Sequence, residues 1–583
     1  MGETDRTTKG LMIAAALLGA CAAVVFVVVA ASRVAYPYEI EFQEGDVFLA
    51  SLRVLDGRPI YPDPDTDATH VPVLYTPFFY IAGAGAIALL DNLLGKSLAA
   101  CRAVSILSTL VLIAMIAHLG RRRAGWWWGI ACTGAFCAFY AASGWWFDLA
   151  RVDMLFLAFV AGAFVLIDRD VTTRRLVLAA ALLVAAIFTK QVAVFFAATA
   201  CLAVFLRAPR RGVALGAGIG AATLVIGAWL NAASDGQFVF FTLVAPRSHP
   251  VHLERLLEPW GLARAVGCLA LACVAATVAN RGRGDSADAP CGARFTWALF
   301  LLAALPASLL PWIKQGHYLN NFIPIALALV LTAASMRPTM LAAALLAAQM
   351  VVTWQSPTGQ IPSAERRARG DAFIERLRAE PGDLYVMDHP YYAWLAGREV
   401  LAKGMFIAEA EKAGRMPPRA LARRIDANAF AKILVDVEPP FDPFSSRILR
   451  RYRVAGPIDA PEPLTGTLVM RPRLALVPVE VIASVEFGDT PPPGWAAQGD
   501  AWISPPLPAA SSVSFDIDAA SGTVARLIGG DGKAIFATRG VPDSPPMRAR
   551  WPLDRCAAAP CVLHFSNPMT SRPNGVTGLQ IER

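Results

Sequence analysis

The sequence predicts a polytopic α-helical membrane protein with a C-terminal extracytoplasmic region, itself an α/β domain followed by a β-sandwich. Three observations predict it. The 583-residue chain is 56% hydrophobic and 17% charged, whereas soluble domains carry about a quarter charged residues. Its apolar residues gather into runs of helical length over positions 1–355, separated by short arginine-bearing loops. After Trp354 the composition turns polar, and proline-rich turns separate short strand-like runs.

The first apolar run, 10–32, is too long for a signal-peptide core of about 7–15 residues and suits a span of about 20, so it reads as a retained first helix. Further runs lie near 73–90, 103–120, 125–143, 153–168, 175–189, 191–207, 212–233, 262–280, 295–312, 320–336 and 339–354. Arginines recur at every second gap: Arg121 to Arg123; Arg169, Arg174 and Arg175; Arg207, Arg210 and Arg211; Arg281, Arg283 and Arg294; Arg337. Shared sidedness of this kind marks the cytoplasmic face, and Arg6 and Lys9 put the N-terminus there too. The arginine triplet is back inside only if 73–90 does not cross. That stretch, with Pro72 and Pro77, therefore reads as a broken re-entrant or membrane-surface element. About eleven spans result, in the cytoplasmic (inner) membrane, with the N-terminus inside. Residues 32–102, the turn "WWFDLARVDM", the turn at Lys190, the loop 234–260, "KQGHYLN" and everything beyond 355 then face outward, into the periplasm. The formal charge of +8 is explained by these loops, and no nucleic-acid partner is implied.

In the C-terminal part, "GDLYVMDH" and "AKILVDV" read as buried strands, and 362–380 and 416–427 as helices, which gives a small α/β domain over 356–458. Residues 465–583, with "SVSFDID", "TVARLIGG" and "PCVLHFS", read as the sandwich. Neither part has a G-x-G-x-x-G or P-loop, so no nucleotide site is indicated. Asp388, His389 and Asp436 sit at strand ends, where acids commonly terminate strands. Seven cysteines (Cys21, Cys101, Cys132, Cys137, Cys201, Cys268, Cys273) lie in or beside apolar runs as packing residues. Cys556 and Cys561, in "RCAAAPC", form either a small disulfide loop, if outside the cytoplasm, or two free thiols.

Chemistry is suggested where charge meets the outer ends of spans, because ionisable groups at membrane depth are costly. "EIEFQEGDVF" carries Glu39, Glu41, Glu44 and Asp46 directly after the first span. Such a cluster can bind a cation, act as a general base, or simply be solvated. The amphipathic helix "GDVFLASLRVLDGRPIY" also puts Glu44 and Asp46 at a helix start, which favours acids in any case. "FDLARVDML" offers Asp148, Arg151 and Asp153. Lys190 interrupts an apolar stretch, and "WIKQGHYLNN" adds Lys314, His317, Tyr318, Asn320 and Asn321. Plain structural roles compete: Arg151 pairing with Asp148 or Asp153, Lys190 snorkelling to headgroups, His317 a structural group, the two asparagines capping a helix. Trp126 to Trp128 and Trp145 and Trp146 read as interfacial belt residues.

The order of these motifs resembles the GT-C superfamily of integral-membrane glycosyltransferases, especially the protein O-mannosyltransferase and lipid A aminoarabinose transferase branch. Glu44-Gly45-Asp46 follows the first span, an amphipathic stretch comes next, and Tyr75 to Tyr80 ("YTPFFY") is similar to the family's Y-x-P-x-x-Y-like element. Asp153 resembles the second acid, "LLVAAIFTKQVAVF" the T-K stretch, and "HYLNNFIPIALAL" the late-span entry. The likeness covers about 10–355. "EFQEGD" departs from a plain D-E pair, which leaves Glu44 and Asp46 as alternative counterparts. The resemblance implies sugar transfer from a polyprenyl-phosphate donor to a glycan, lipid or protein acceptor at the outer membrane surface, with inversion. Asp46 or Glu44 would be the general base and Asp153 a further catalytic acid. Arg151, Lys190, Lys314, His317 and Tyr75 would bind the donor phosphate. A divalent cation, Mg or Mn, at Glu41, Glu44 and Asp46 is left open. A lipid or glycan flippase and a non-catalytic envelope-polymer-binding scaffold are the rival expectations.

Overall fold

The computed structural model describes residues 3–582 except 70–73, 169, 280–292, 315, 317, 416, 437–442, 467–469, 480, 486–491, 499–500, 508–511, 518–522, 529–533, 540–546, 554–560 and 567–575. The chain divides into two compact units, Met1–Arg376 with Ala460–Arg471, and Leu377–Asp459 with Pro472–Arg583. The segment Ala460–Arg471 thus groups with the helical unit.

The apolar runs all fold as helices: α1 (Glu3–Val34), α2 (Glu44–Leu55), α3 (Phe78–Leu94), α4 (Leu98–Ala124), α5 (Trp126–Ala142), α6 (Asp153–Ile167), α7 (Thr173–Ile187), α8 (Ala193–Phe205), α9 (Pro209–Ala233), the single turn α10 (Gln237–Val239), α11 (Pro259–Ala279), α12 (Ala293–Trp312), α13 (Ile323–Ser335) and α14 (Met340–Val352), with α15 (Ala364–Ala379) after them. Pro209 sits in the first turn of α9, where its missing N–H costs nothing. Among the described residues, four helices are long and apolar enough to cross a membrane: Arg6–Val34, Leu98–Ala124, Pro209–Ala233 and Phe295–Trp312. Six shorter apolar helices of 10–17 residues include α3, α6, α8 and α14.

Successive helices run between two ends. At one end lie the start of α2, the turn 143–152 and the α7–α8 turn. At the other, Arg207 donates to the Ile167 carbonyl at 2.6 Å. α1 and α5 meet backbone to backbone at Gly19 and Gly134, where any added Cβ would collide with the opposite main chain.

Pro72 lies outside the described residues, and past Pro77 the stretch 73–90 is not a broken helix. α3 runs uninterrupted from a Pro77 N-cap, because the proline stands where no donor is needed. Both its ends stay at the α2 end. Phe78 N–H bonds the Phe188 carbonyl at 2.7 Å. Just beyond its other end Lys96 approaches Asp56 at 4.0 Å, and Arg102 in the first turns of α4 reaches Glu44.

The tryptophans expected to form an interfacial belt divide by burial. Trp126 and Trp127 are exposed, but Trp128, Trp145 and Trp146 are buried. Of the seven cysteines in apolar runs, Cys101, Cys132, Cys137 and Cys273 are buried, while Cys21 is exposed.

In the second unit, β1 (Leu384–Val386), β2 (Lys432–Val435), β3 (Tyr452–Pro457) and β4 (Leu474–Pro478) form a sheet of order β1-β2-β4-β3. β1 and β2 are parallel, and β4 is antiparallel to both its neighbours. With α16 (Pro390–Leu395), α17 (Gly404–Lys412), α18 (Arg419–Asp426) and α19 (Pro443–Arg451), it encloses Tyr385, Leu421, Ile425, Ile433, Phe444 and Ile448. Leu474–Pro478 therefore completes the α/β sheet, although its position suggested the sandwich; its apolar face matches β2. The remaining strands are β5 (Val481–Val485), β6 (Ala496–Gln498), β7 (Ala501–Ile503), β8 (Ser512–Ile517), β9 (Val524–Ile528), β10 (Ala534–Arg539), β11 (Met547–Pro552), β12 (Val562–Ser566) and β13 (Val576–Glu582). They make two sheets, β10-β9-β12-β7-β6 and β11-β8-β13-β5, which share a core of Phe515, Leu527, Trp551, Leu563 and Phe565. Cys561 is disulfide-bonded; Cys556 lies outside the described residues.

Candidate active site

The carboxylates that follow α1 are not solvated. Glu39, Glu41, Glu44 and Asp46 are 1%, 1%, 0% and 3% exposed. Burying a carboxylate is tolerable only with charge partners and donors around it, and the structure supplies them from distant parts of the helical unit.

Glu44, at the start of α2, takes a forked bond from Arg102: Nε to Oε1 at 2.9 Å and an η nitrogen to Oε2 at 2.7 Å. Ala150 N–H donates to Oε1 at 2.9 Å and Ile40 N–H to Oε2 at 2.7 Å. Burial pushes its pKa up, but the Arg102 charge and these donors outweigh that and hold it below the usual carboxylate range. Arg102 spends its other donors on the carbonyls of Arg33, Tyr36 and Tyr38. Two residues further along the chain, Asp46 is buried, and the Tyr80 phenol lies within electrostatic reach of it, of Tyr75 and of Arg151.

A second buried lock joins α1 to the turn after α5. Arg33 bonds Asp148 at 3.1 Å, the Tyr140 hydroxyl at 2.9 Å and the Trp145 carbonyl at 3.0 Å. Tyr140 in turn donates to Asp148 at 2.6 Å. Asp148 is therefore taken by Arg33, and Arg151 pairs with neither Asp148 nor Asp153.

Arg151 instead bonds Glu41 at 3.1 Å and the Gln43 side-chain oxygen. It lies over the rings of Trp146 at 5.3 Å and Tyr75 at 5.8 Å. Burial pulls its pKa down, but Glu41, Tyr75 and Asp153 reverse this and raise it. Asp153, the first residue of α6, bonds Lys190 at 2.6 Å and accepts from the Trp146 indole N–H at 2.9 Å. The Asn320 amide stands 3.5 Å away. Lys190 faces the same Tyr75 ring at 5.9 Å and Phe156 at 5.5 Å, so it does not snorkel outward. Tyr75, half-buried, is thus shared by both cations.

The structure therefore gathers Glu41, Asp46, Tyr75, Arg151, Asp153 and Lys190 at one end of the helical unit. Lys314 is not part of that cluster's bonding: its ammonium donates to the Pro246 carbonyl at 3.0 Å. His317 lies outside the described residues. Glu41, Glu44 and Asp46 do not make a metal-holding set, and no group of three such ligands occurs among the described residues; Arg151 and Arg102 already occupy two of the three carboxylates. Sequence reasoning missed Arg33, Arg102 and Trp146. Arg102 carried a usable signal, a charged residue opening an apolar run.

Beside the cluster runs an apolar groove of about 410 Å³, lined among others by Pro77, Phe78, Val184, Phe188, Ile226 and Trp229. Its head lies where Thr76 and Phe78 are bonded to the carbonyls of Ile187 and Phe188, next to Tyr75 and Lys190 in the chain.

No family model and no curated protein matches the chain. Among solved structures it is similar to ArnT from Cupriavidus metallidurans bound to undecaprenyl phosphate, with 14% identity over 79% of this chain and 97% of that one and a TM-score of 0.41. It is also similar to the oligosaccharyltransferase of Archaeoglobus fulgidus in complex with Zn and sulfate (10% identity, 95% and 96% coverage, TM-score 0.42). A third is the arabinosyltransferase EmbB from Mycobacterium smegmatis (13%, 96% and 64%, TM-score 0.31). Likeness at these values leaves the function to be argued from the residues of the site.

Proposed function

We propose that the protein is a membrane glycosyltransferase that moves a sugar from a polyprenyl-phosphate donor to an acceptor hydroxyl of a glycan, lipid or protein. The observation that carries this is the sharing of Tyr75 by Arg151 and Lys190. Two cations converge there on one half-buried aromatic, beside a buried acid and at the head of an apolar groove. That is the arrangement an amphipathic phosphate lipid needs, with cations for the head and an apolar wall for the tail. The end-to-end alternation of the helices supports about eleven crossings of the inner membrane, with this site at the outer face.

In the reaction, the acceptor oxygen attacks the anomeric carbon as the bond from that carbon to the phosphate oxygen breaks. The acceptor proton passes to Asp46, and the electron pair leaves with the polyprenyl phosphate. A single displacement inverts the anomeric centre. Asp46 suits the base better than Glu44, because both Glu44 oxygens already accept charged or backbone donors. General-base help is worth about 10²–10⁴-fold. Charge building on the leaving phosphate would draw Arg151 and Lys190 from Glu41 and Asp153, with the Tyr75 hydroxyl as a further donor. Asp153 then acts on Lys190 rather than on the sugar, and Lys314 and His317 take no part in this scheme. No step uses a metal, since the carboxylates present do not fit one.

The test is transfer from a panel of labelled polyprenyl-phosphate sugars by the purified protein in lipid nanodiscs, with Asp46→Asn and Lys190→Met. Both variants are expected to lose at least a hundredfold. Full transfer by both would remove the assignment. A wild type that binds the lipid and moves it across the bilayer without transferring sugar would favour the flippase.

A further inference from the structure

Leu464 and Thr465 come from the segment that returns to the helical unit long after the last apolar helix. Both their N–H groups donate to the Ile40 carbonyl, at 3.0 and 3.1 Å, in the acid-bearing loop. The Gln360 side chain donates to the Leu464 carbonyl at 3.1 Å and accepts from Arg33 at 2.6 Å. The Thr465 hydroxyl donates to the Gly144 carbonyl. Its single proton is thereby committed, so the Tyr318 hydroxyl, 3.2 Å away, is the donor of that second contact.

Tyr318 is itself closely placed. Its ring lies against Gly144, at φ 74°, where an added Cβ would overlap it, and it packs against Trp146 in a tilted contact with centroids 5.3 Å apart. Trp146 is the platform of the site: one face carries Arg151 and its N–H holds Asp153. A chain of direct contacts therefore runs from Thr465 through Tyr318 and Trp146 to the two charged pairs.

We propose that Thr465 is a positioning residue, which through Tyr318 sets the Trp146 ring on which Arg151 and Asp153 are held. The rate effect rests on the transferase reading; the contact chain does not. Tyr318→Phe and Thr465→Val each remove one hydroxyl and little volume. Each is expected to lower kcat about two- to tenfold, the range of one hydrogen bond, with KM for the lipid donor unchanged. The double variant should be no worse than the poorer single one, because both delete the same contact. Thr465→Ser should restore the wild-type rate. Hydrogen exchange in the turn 143–152 should quicken in Thr465→Val and revert in Thr465→Ser, whether or not transfer is observed. Independent, additive losses, or unchanged exchange in Thr465→Val, would overturn the proposal. Faster exchange in a protein that transfers no sugar would leave the positioning role standing and remove the proposed function instead.

Discussion

Glu44 with Arg102 and Asp153 with Lys190 are both buried carboxylate–cation pairs, at 2.7 and 2.6 Å, yet their surroundings differ. Around Glu44 the backbone closes in: Ala150 and Ile40 donate to the acid, and three carbonyls accept from Arg102. Around Lys190 the neighbours are ring faces, Tyr75 and Phe156, which attract a cation without satisfying its N–H donors. The first pair is anchored to main chain on both sides and has nothing left to offer a ligand. The second retains donor capacity. Buried charge alone does not mark a working group; how completely the fold saturates it does.

That contrast can be broken, largest effect first. Glu44→Gln leaves the Arg102 charge buried without its counter-ion, and the expected loss is about 3–5 kcal/mol of stability, read by denaturant or thermal unfolding. If it unfolds like the wild type, the lock described here is not one. Lys190→Met should invert the pattern: transfer falls about 10²–10³-fold, as for a lost charge-stabilising donor, while the unfolding midpoint drops less than in Glu44→Gln. Equal drops in both variants would erase the distinction. Asp388 sharpens the rule in the second unit. Burial, then the neighbouring Asp436 charge, pushes its carboxyl up to about 6. A pKa raised on folding gives stability that is present at low pH and lost as pH rises through about 4 to 6. Asp388→Asn should flatten that part of the pH–stability curve, a change of about 3 kcal/mol; an unaltered curve would mean Asp388 ionises normally. Ala181→Trp, at the groove wall, is expected to raise KM about tenfold for a long polyprenyl donor and not for a short-chain one. Equal effects on both would detach the groove from the site.

The helical unit was largely legible because apolar runs of helical length have few other fates. α3 was read as broken but runs uninterrupted after Pro77, since a proline at a helix start and one inside it look alike in a string. The site was half legible. Lys190, Asp153 and Arg151 stood out as charges among apolar neighbours, but their partners did not. The contact of Arg151 with Glu41 spans 110 residues, and nothing local to either names the other. Trp145 and Trp146 were taken for belt residues because their place near a helix end is the same whether they face lipid or the site. The docking of Leu464 and Thr465 was invisible, because it is written in main-chain carbonyls, which every residue has.

The meeting of Gly19 with Gly134 bears on all of this from the middle of the helices. With no side chain between them, the two backbones are keyed together, and α1 cannot ride up or down against α5 like a piston. The loop after α1 and the loop after α5 are thereby gauged to a common depth. A single methyl group at that crossing would shift one set of charges against the other from many ångströms away.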